Sequence, residues 1–172
     1  MINQSTNIYK LLKELTEDVG SYYIKSKELS SYEGPNGHII YSHYKRQNCN
    51  LTDTLLQQHL QKEITLAISV KNSNILLFDY RGNMGYAFGA LIYRLVDKDR
   101  FSIYIIEYST DRLKLYIKPK NNIKMESFRE ELEEALESKL TKEWRVYPVK
   151  SNLNLGNLME LPREFIESPW SF

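Results

Sequence analysis

Residues 74–81, NILLFDYR, constrain this chain more than any other stretch. Ile75, Leu76, Leu77 and Phe78 are apolar in succession, and the chain then turns polar at Asp79, Tyr80 and Arg81 before Gly82. A short apolar run bounded by Asn and Gly predicts a buried, central strand. A carboxylate at the end of such a strand either serves a metal or a reaction at the sheet rim, or pairs with a base and caps the next element. Asp79, with Arg81 two residues on, is therefore the first candidate site.

The elements that follow set the expected topology. Met84, Phe88, Leu91, Leu95 and Val96 share one face of a helix over 83–96. A strand over 101–108, a tight turn at 109–112 and a strand over 113–118 ended by Pro119 come next. Met125, Phe128, Leu132, Leu136 and Leu140 then stripe an amphipathic helix over 124–140, with Glu and Lys filling its other side. A last strand lies near 144–149. The order β-α-β-β-α-β predicts an α+β fold of the ferredoxin-like or RRM-like kind. Right-handed crossovers put the first and third strands side by side, with the fourth next to the first. Alternation along the strands then sends Leu113, Leu115 and Ile117 towards the helices, and Arg112, Lys114, Tyr116 and Lys118 the other way. Asp79 and Arg81 share one parity, as do Arg145 and Tyr147. The expected open face gathers Asp79, Arg81, Lys114 and Arg145.

The region before this unit is less patterned. Ser5 predicts the cap of a helix carrying Ile8, Leu11, Leu12, Leu15 and Val19, with Gly20 as its stop. Gly34-Pro35-Asn36-Gly37 is a turn signal before a strand over 38–44. Thr52 or Asp53 opens a second helix to about residue 61, and 64–70 alternates as a strand. The expected organisation is an α/β region over 1–72 packing on a palm with a tail over 73–172, one compact unit.

Composition limits the classes. The chain has 172 residues, 42% apolar and 26% charged, which suits a globular domain. A net charge of +1 gives no bulk attraction to nucleic acid, so any basic patch must arise by segregation. One cysteine, Cys49, excludes an intrachain disulfide. No apolar run has membrane-spanning length and the amino terminus lacks a leader-like layout, so a cytoplasmic protein without membrane contact is expected.

Four collinear segments resemble the archaeo-eukaryotic primase superfamily, in particular primase-polymerase modules. LTDTLLQQHLQKEITLAISV (51–70) is similar to the segment before the first catalytic strand of that group, and NILLFDYR to the strand with its first metal motif. STDRLKLYIKP (109–119) is similar to the hairpin with the Ser-and-His motif. WRVYPVKSNLNLGNLMELP (144–162) resembles the strand with the third acid and a Gly-Asn-Leu…Leu-Pro signature. The resemblance implies an RRM-like palm behind an α/β amino-terminal region, and a replication or mobile-element setting.

Departures from the family pattern carry the functional expectation. Asp-x-Asp has become Asp79-Tyr80-Arg81, the His position falls on Lys114, and the third acid falls on Arg145. Two-metal phosphoryl transfer needs several hard oxygen ligands, and one carboxylate among three cations repels the metals it would have to hold. The site at Asp79, Arg81, Lys114 and Arg145 is thus expected to be degenerate, with no catalytic residue, no metal and no cofactor, and the chain is expected not to be an enzyme. Arg81, Arg112, Lys114, Tyr116, Lys118, Arg145 and Lys150 are the expected nucleic-acid contacts. The cations would hold phosphate through charge-assisted hydrogen bonds. Tyr116, with Tyr104 or Tyr147, would stack bases. The structural alternative pairs Asp79 with Arg81, Lys114 or Arg145.

The expected function is a non-catalytic primase-like accessory or single-stranded nucleic-acid-binding protein. Its expected partners are single-stranded DNA or RNA, and a catalytic primase subunit, a helicase or another replication protein. One alternative is a protein-interaction module without nucleic-acid binding. Another is a metal-dependent polymerase or nuclease using Asp79 with Glu107 or Asp111. Other features are weaker. His59 on a helix fits packing or capping. His38, His43 and Cys49 lack zinc spacing and a fourth ligand. Gly82, Gly85 and Gly89 lack the Lys-Ser/Thr of a phosphate loop, and Gly85 and Gly89, on one face, fit close helix packing. The tail SPWSF either tucks back or docks a partner.

Overall fold

The computed structural model describes residues 4–17, 19–70, 74–140, 142–149 and 157–170. They form an α+β structure with four helices and two four-stranded antiparallel sheets. The chain divides into two compact units, 1–73 with 150–163 and 74–149 with 164–172. Among the described residues no helix is long and apolar enough to cross a membrane.

The first unit holds α1 (Gln4–Thr16), β1 (Tyr22–Glu33), β2 (Ile39–Gln47), α2 (Asp53–Leu60), β3 (Leu66–Ser69) and, from late in the chain, a short strand, Leu158–Glu160. Ile8, Leu11, Leu12 and Leu15 of α1 are buried, at the i, i+3, i+4, i+7 spacing of one helix face. α1 already includes residue 5, so Ser5 lies inside the helix and not at its cap. Thr52 caps α2 by accepting a hydrogen bond from the Leu55 amide at 3.3 Å. The strand order is β2-β1-β3 followed by the late strand, which pairs antiparallel with β3. The expected boundary after residue 72 put everything downstream into the second region. Residues 150–163 instead group with the first unit.

His59 shows how that return is fastened. It is fully buried, its Nδ1 accepts from the Leu66 amide at 3.1 Å, and its Nε2 donates to the Leu161 carbonyl at 2.9 Å. Burial, with the Arg163 charge, holds its pKa below the ordinary 6.5, so the ring is the neutral Nε2–H tautomer. Arg163 donates to the His59 and Ile64 carbonyls and to Thr65 Oγ1, at 2.9, 3.1 and 3.0 Å. Of the readings open for His59, packing between backbone groups is the one observed.

The second unit holds β4 (Leu76–Arg81), α3 (Gly85–Leu95), β5 (Phe101–Tyr108), β6 (Arg112–Pro119), α4 (Met125–Glu137) and β7 (Trp144–Tyr147); the late strand Leu158–Glu160 is β8. The sheet order is β5-β6-β4-β7, so β4 lies between β6 and β7. Alternation places Leu76, Phe78 and Tyr80 of β4, Leu113, Leu115 and Ile117 of β6, and Trp144 and Val146 of β7 in one core with Phe88 and Ile92 of α3 and Leu132 and Leu136 of α4. Removing a fully buried ring such as Phe88 from such a core typically costs about 3–5 kcal/mol.

The end of the chain closes on this unit. Trp170 is buried against Tyr93 and Tyr86 of α3, with ring centroids 5.1 and 5.6 Å away. A Cβ at Gly89 would overlap the Trp170 ring, so the glycine supplies the floor on which the indole rests. Of the two fates open to the tail, it tucks back at Trp170.

Candidate anion-binding face

The side of the second sheet away from its core is where the predicted site residues meet. Register places Asp79 of β4 opposite Lys114 of β6 and Arg145 of β7, and Lys114 also opposite Glu107 of β5. One charged row, Glu107–Lys114–Asp79–Arg145, thus crosses all four strands. A second row beside it reads Tyr104–Tyr116–Leu77–Tyr147.

Asp79 is nearly buried, at 8% exposure, and its charge is taken up locally. Arg112 Nε and Nη2 donate to Asp79 Oδ1 and Oδ2 at 3.3 and 3.4 Å. Arg81 Nη2 lies 3.6 Å from Oδ2. Arg112 Nε also approaches Glu107 Oε2 at 3.6 Å. The bond to Asp79 raises the Arg112 pKa above its ordinary value. Arg112, expected to contact nucleic acid, is instead the main counterion of Asp79. Its register partner is Arg81, and it reaches Asp79 diagonally, a distance a long side chain spans.

Lys114 and Arg145 differ from Arg112. They flank Asp79 in register, yet among the described residues neither forms a hydrogen bond or ion pair, with Asp79 or any other group. Arg145 is exposed, Lys114 half-buried, and the Arg81 side chain is 70% exposed. Asp79, Arg81, Lys142, Glu143, Trp144, Arg145 and Tyr147 line a recess of about 350 Å³. Its second acid is also engaged: Tyr80 Oη donates to Glu143 Oε2 at 3.0 Å and accepts from the Met84 amide at 2.9 Å. Lys142 is paired with Glu137 at 3.1 Å. With both acids committed, Arg145 and the outer face of Arg81 are left to meet an anion.

The aromatic row is less accessible than the parity argument implied. Tyr116 is fully buried and offers no ring face to a base, which corrects the expectation that it stacks one. Tyr104 is half-buried with its ring edge-on to Phe165, and Tyr147 is half-buried on the recess. Lys118 lies further along β6, opposite Ser102, and is half-buried. Lys150 falls outside the described residues. Asp111 sits in the β5–β6 turn, where its Oδ1 accepts from Ser109 Oγ and its carbonyl accepts from the Gly82 amide. Among the described residues no three His, Cys, Asp or Glu side chains group as a metal site. Sequence reasoning missed Lys142 and Glu143, whose signal was adjacency to the strand start at Trp144.

A family model described as a domain of unknown function (DUF1882) matches residues 8–75. That is less than half of the chain. The match runs from α1 to the threshold of β4 and includes no residue of the recess. Among curated proteins, none matches the chain.

Proposed function

We propose that the protein is a non-catalytic, primase-like accessory factor that holds single-stranded nucleic acid by its phosphates on the outer face of the second sheet. The observation that carries this reading is the split among the cations: Arg112 neutralises Asp79, whereas Lys114 and Arg145 beside it have no counterion among the described residues. Charges kept on a sheet without partners are suited to an external anion, and guanidinium groups hold phosphate oxygens by paired donors. The element order β4-α3-β5-β6-α4-β7 and the strand order β5-β6-β4-β7 support an RRM-like palm of the primase kind. Asp79, shared between two guanidinium groups, is poorly placed to hold a divalent ion, which supports an accessory role over chemistry. Tyr147, at the recess, is the ring best placed to stack on a base. The expected setting is a replication or mobile-element system, with a catalytic primase subunit or helicase as the protein partner.

A labelled single strand titrated at several salt concentrations tests this. Binding should weaken linearly in log–log form, with a slope of about 0.7 per phosphate contact. The Lys114→Glu/Arg145→Glu double variant should lose at least about tenfold in affinity and flatten the slope by one to two contacts. Equal binding by the folded variant defeats the reading and favours a protein-interaction module. Primer extension with magnesium or manganese tests the enzymatic alternative; activity that disappears in Asp79→Ala would establish it.

A further inference from the structure

Glu143 is an exposed carboxylate among cations, yet among the described residues it forms an ion pair with none of them. The Arg81 amide donates to the Glu143 carbonyl at 2.9 Å, which sets residue 143 opposite Arg81, one step beyond the Tyr80–Trp144 pair of β4 and β7. Lys142 precedes it and Arg145 follows two residues on. Opposite charges facing each other across a ladder attract, so Arg81 is the ordinary partner for this acid. Arg81 instead approaches Asp79, and Lys142 pairs with Glu137.

What holds Glu143 is a neutral hydroxyl that arrives from the core side of the sheet. Tyr80 is buried, its ring stacked on Phe88 with centroids 4.9 Å apart, and its Oη donates to Glu143 Oε2 at 3.0 Å. The Met84 amide donates to the same hydroxyl oxygen at 2.9 Å, which fixes it and leaves its proton for the carboxylate. Burial pushes the Tyr80 pKa above the ordinary 10, so the donor keeps its proton throughout the neutral range. The pair also fills space that glycine alone leaves: a Cβ on residue 82 would lie 2.5 Å from Glu143 Oε2 and 2.7 Å from Tyr80 Oη. A hydrogen bond from a fixed, buried donor to a charged group outweighs an exposed ion pair, so the carboxylate stays on Tyr80.

We propose, resting on the phosphate-holding role of this face, that Tyr80 is a positioning residue: by holding Glu143 it withholds the acid that would otherwise neutralise Arg81 and Arg145. The carboxylate has two places, on Tyr80 with the cations open, or across the two arginines with the face closed. Arg112 already cancels Asp79, so the position of Glu143 decides how much positive charge a phosphate meets. A carboxylate on those guanidinium groups would compete with phosphate for the same donors. Tyr80 never touches the ligand; it acts through Glu143.

Removing the hydroxyl alone separates this role from packing. Tyr80→Phe keeps the ring on Phe88 and frees the carboxylate, and Met84 is exposed, so water replaces the acceptor its amide loses. Single-strand affinity should fall about three- to tenfold, the scale of one or two competing ion pairs, and the salt slope should flatten by about 0.7. Glu143→Gln should bind at least as tightly as the wild type. In that background Tyr80→Phe should change nothing, because no charge is released. Equal loss in both backgrounds would mean that Tyr80 only shapes the fold, and overturns the proposal, as does a Tyr80→Phe that binds like the wild type. A ligand-free readout runs beside this. The Nε–H resonances of Arg81 and Arg145 should shift in Tyr80→Phe, and in the double variant should match those of Glu143→Gln. Absence of that shift overturns the proposal whether or not a strand binds. A wild type that binds no single strand, with the arginine shift present, defeats the phosphate reading alone and leaves Tyr80 as the residue that positions Glu143.

Discussion

Asp79 shows how one residue decides what a site can do. Its two oxygens receive Arg112, and Arg81 approaches one of them, so replacing it would leave a partly buried guanidinium without its counterion. Asp79→Asn should lower stability by about 1–3 kcal/mol in chemical denaturation, the scale for removing one partner of such a pair. The same variant should tighten single-strand binding, because a negative charge leaves the face. Looser binding would mean that Asp79 aids the ligand. His59 gives a second residue-scale prediction. Its folded pKa lies below 6.5, so the unfolded chain takes up a proton before the folded chain does. The stability it contributes is fully present above about pH 6.5 and is lost as pH falls through that value towards the folded pKa. Denaturant midpoints from pH 7.5 to 5 should fall for the wild type, and His59→Gln should be less stable at pH 7.5 but flatter in pH. Equal slopes would place the titration elsewhere.

At the scale of elements, the strands carried by side-chain alternation were legible and those carried by backbone alone were not. The run at 75–78 and the stripe Met125, Phe128, Leu132 and Leu136 announce β4 and α4, because burial of one face forces the pattern. β1 is twelve residues long, yet YYIKSKELSSYE has Lys, Glu and Ser over most of its length, since its ladder to β2 needs no buried side chains there. β8 has three residues, too few for a period. Parity set Asp79 and Lys114 on one face, but it left the face of Arg145 open and could not foresee that Arg112 would reach across diagonally, nor that Tyr116 would be buried. Gly82 links β4 to the recess. A Cβ there would lie 2.5 Å from Glu143 Oε2 and 2.7 Å from Tyr80 Oη. Gly82→Ala should push the Glu143 carboxylate off Tyr80 and towards the cations, weakening single-strand binding and costing about 1–3 kcal/mol, as overpacking does. Stability lost with binding unchanged would show that Glu143 stays out of the recess.

On the scale of the whole molecule, the chain leaves the first unit at residue 73 and comes back to complete it with 150–163. The segment that matches a family model, 8–75, therefore lacks β8, Leu161 and Arg163, which pair with β3 and hold His59, the Ile64 carbonyl and Thr65 Oγ1. Integrity of the first unit should then depend on residues some hundred positions from those they touch. Arg163→Ala removes donors to the His59 and Ile64 carbonyls and to Thr65 Oγ1 without shortening the chain. Two of those acceptors are backbone carbonyls, so the loss should be about 1–3 kcal/mol. It should appear first as local opening, since segments with few alternative ties open below the global free energy. Amide exchange measured residue by residue should accelerate at Leu66–Ser69 and at the end of α2, while protection in β4 and β6 stays as in the wild type. Uniform acceleration in both sheets would instead mean that the two units unfold as one.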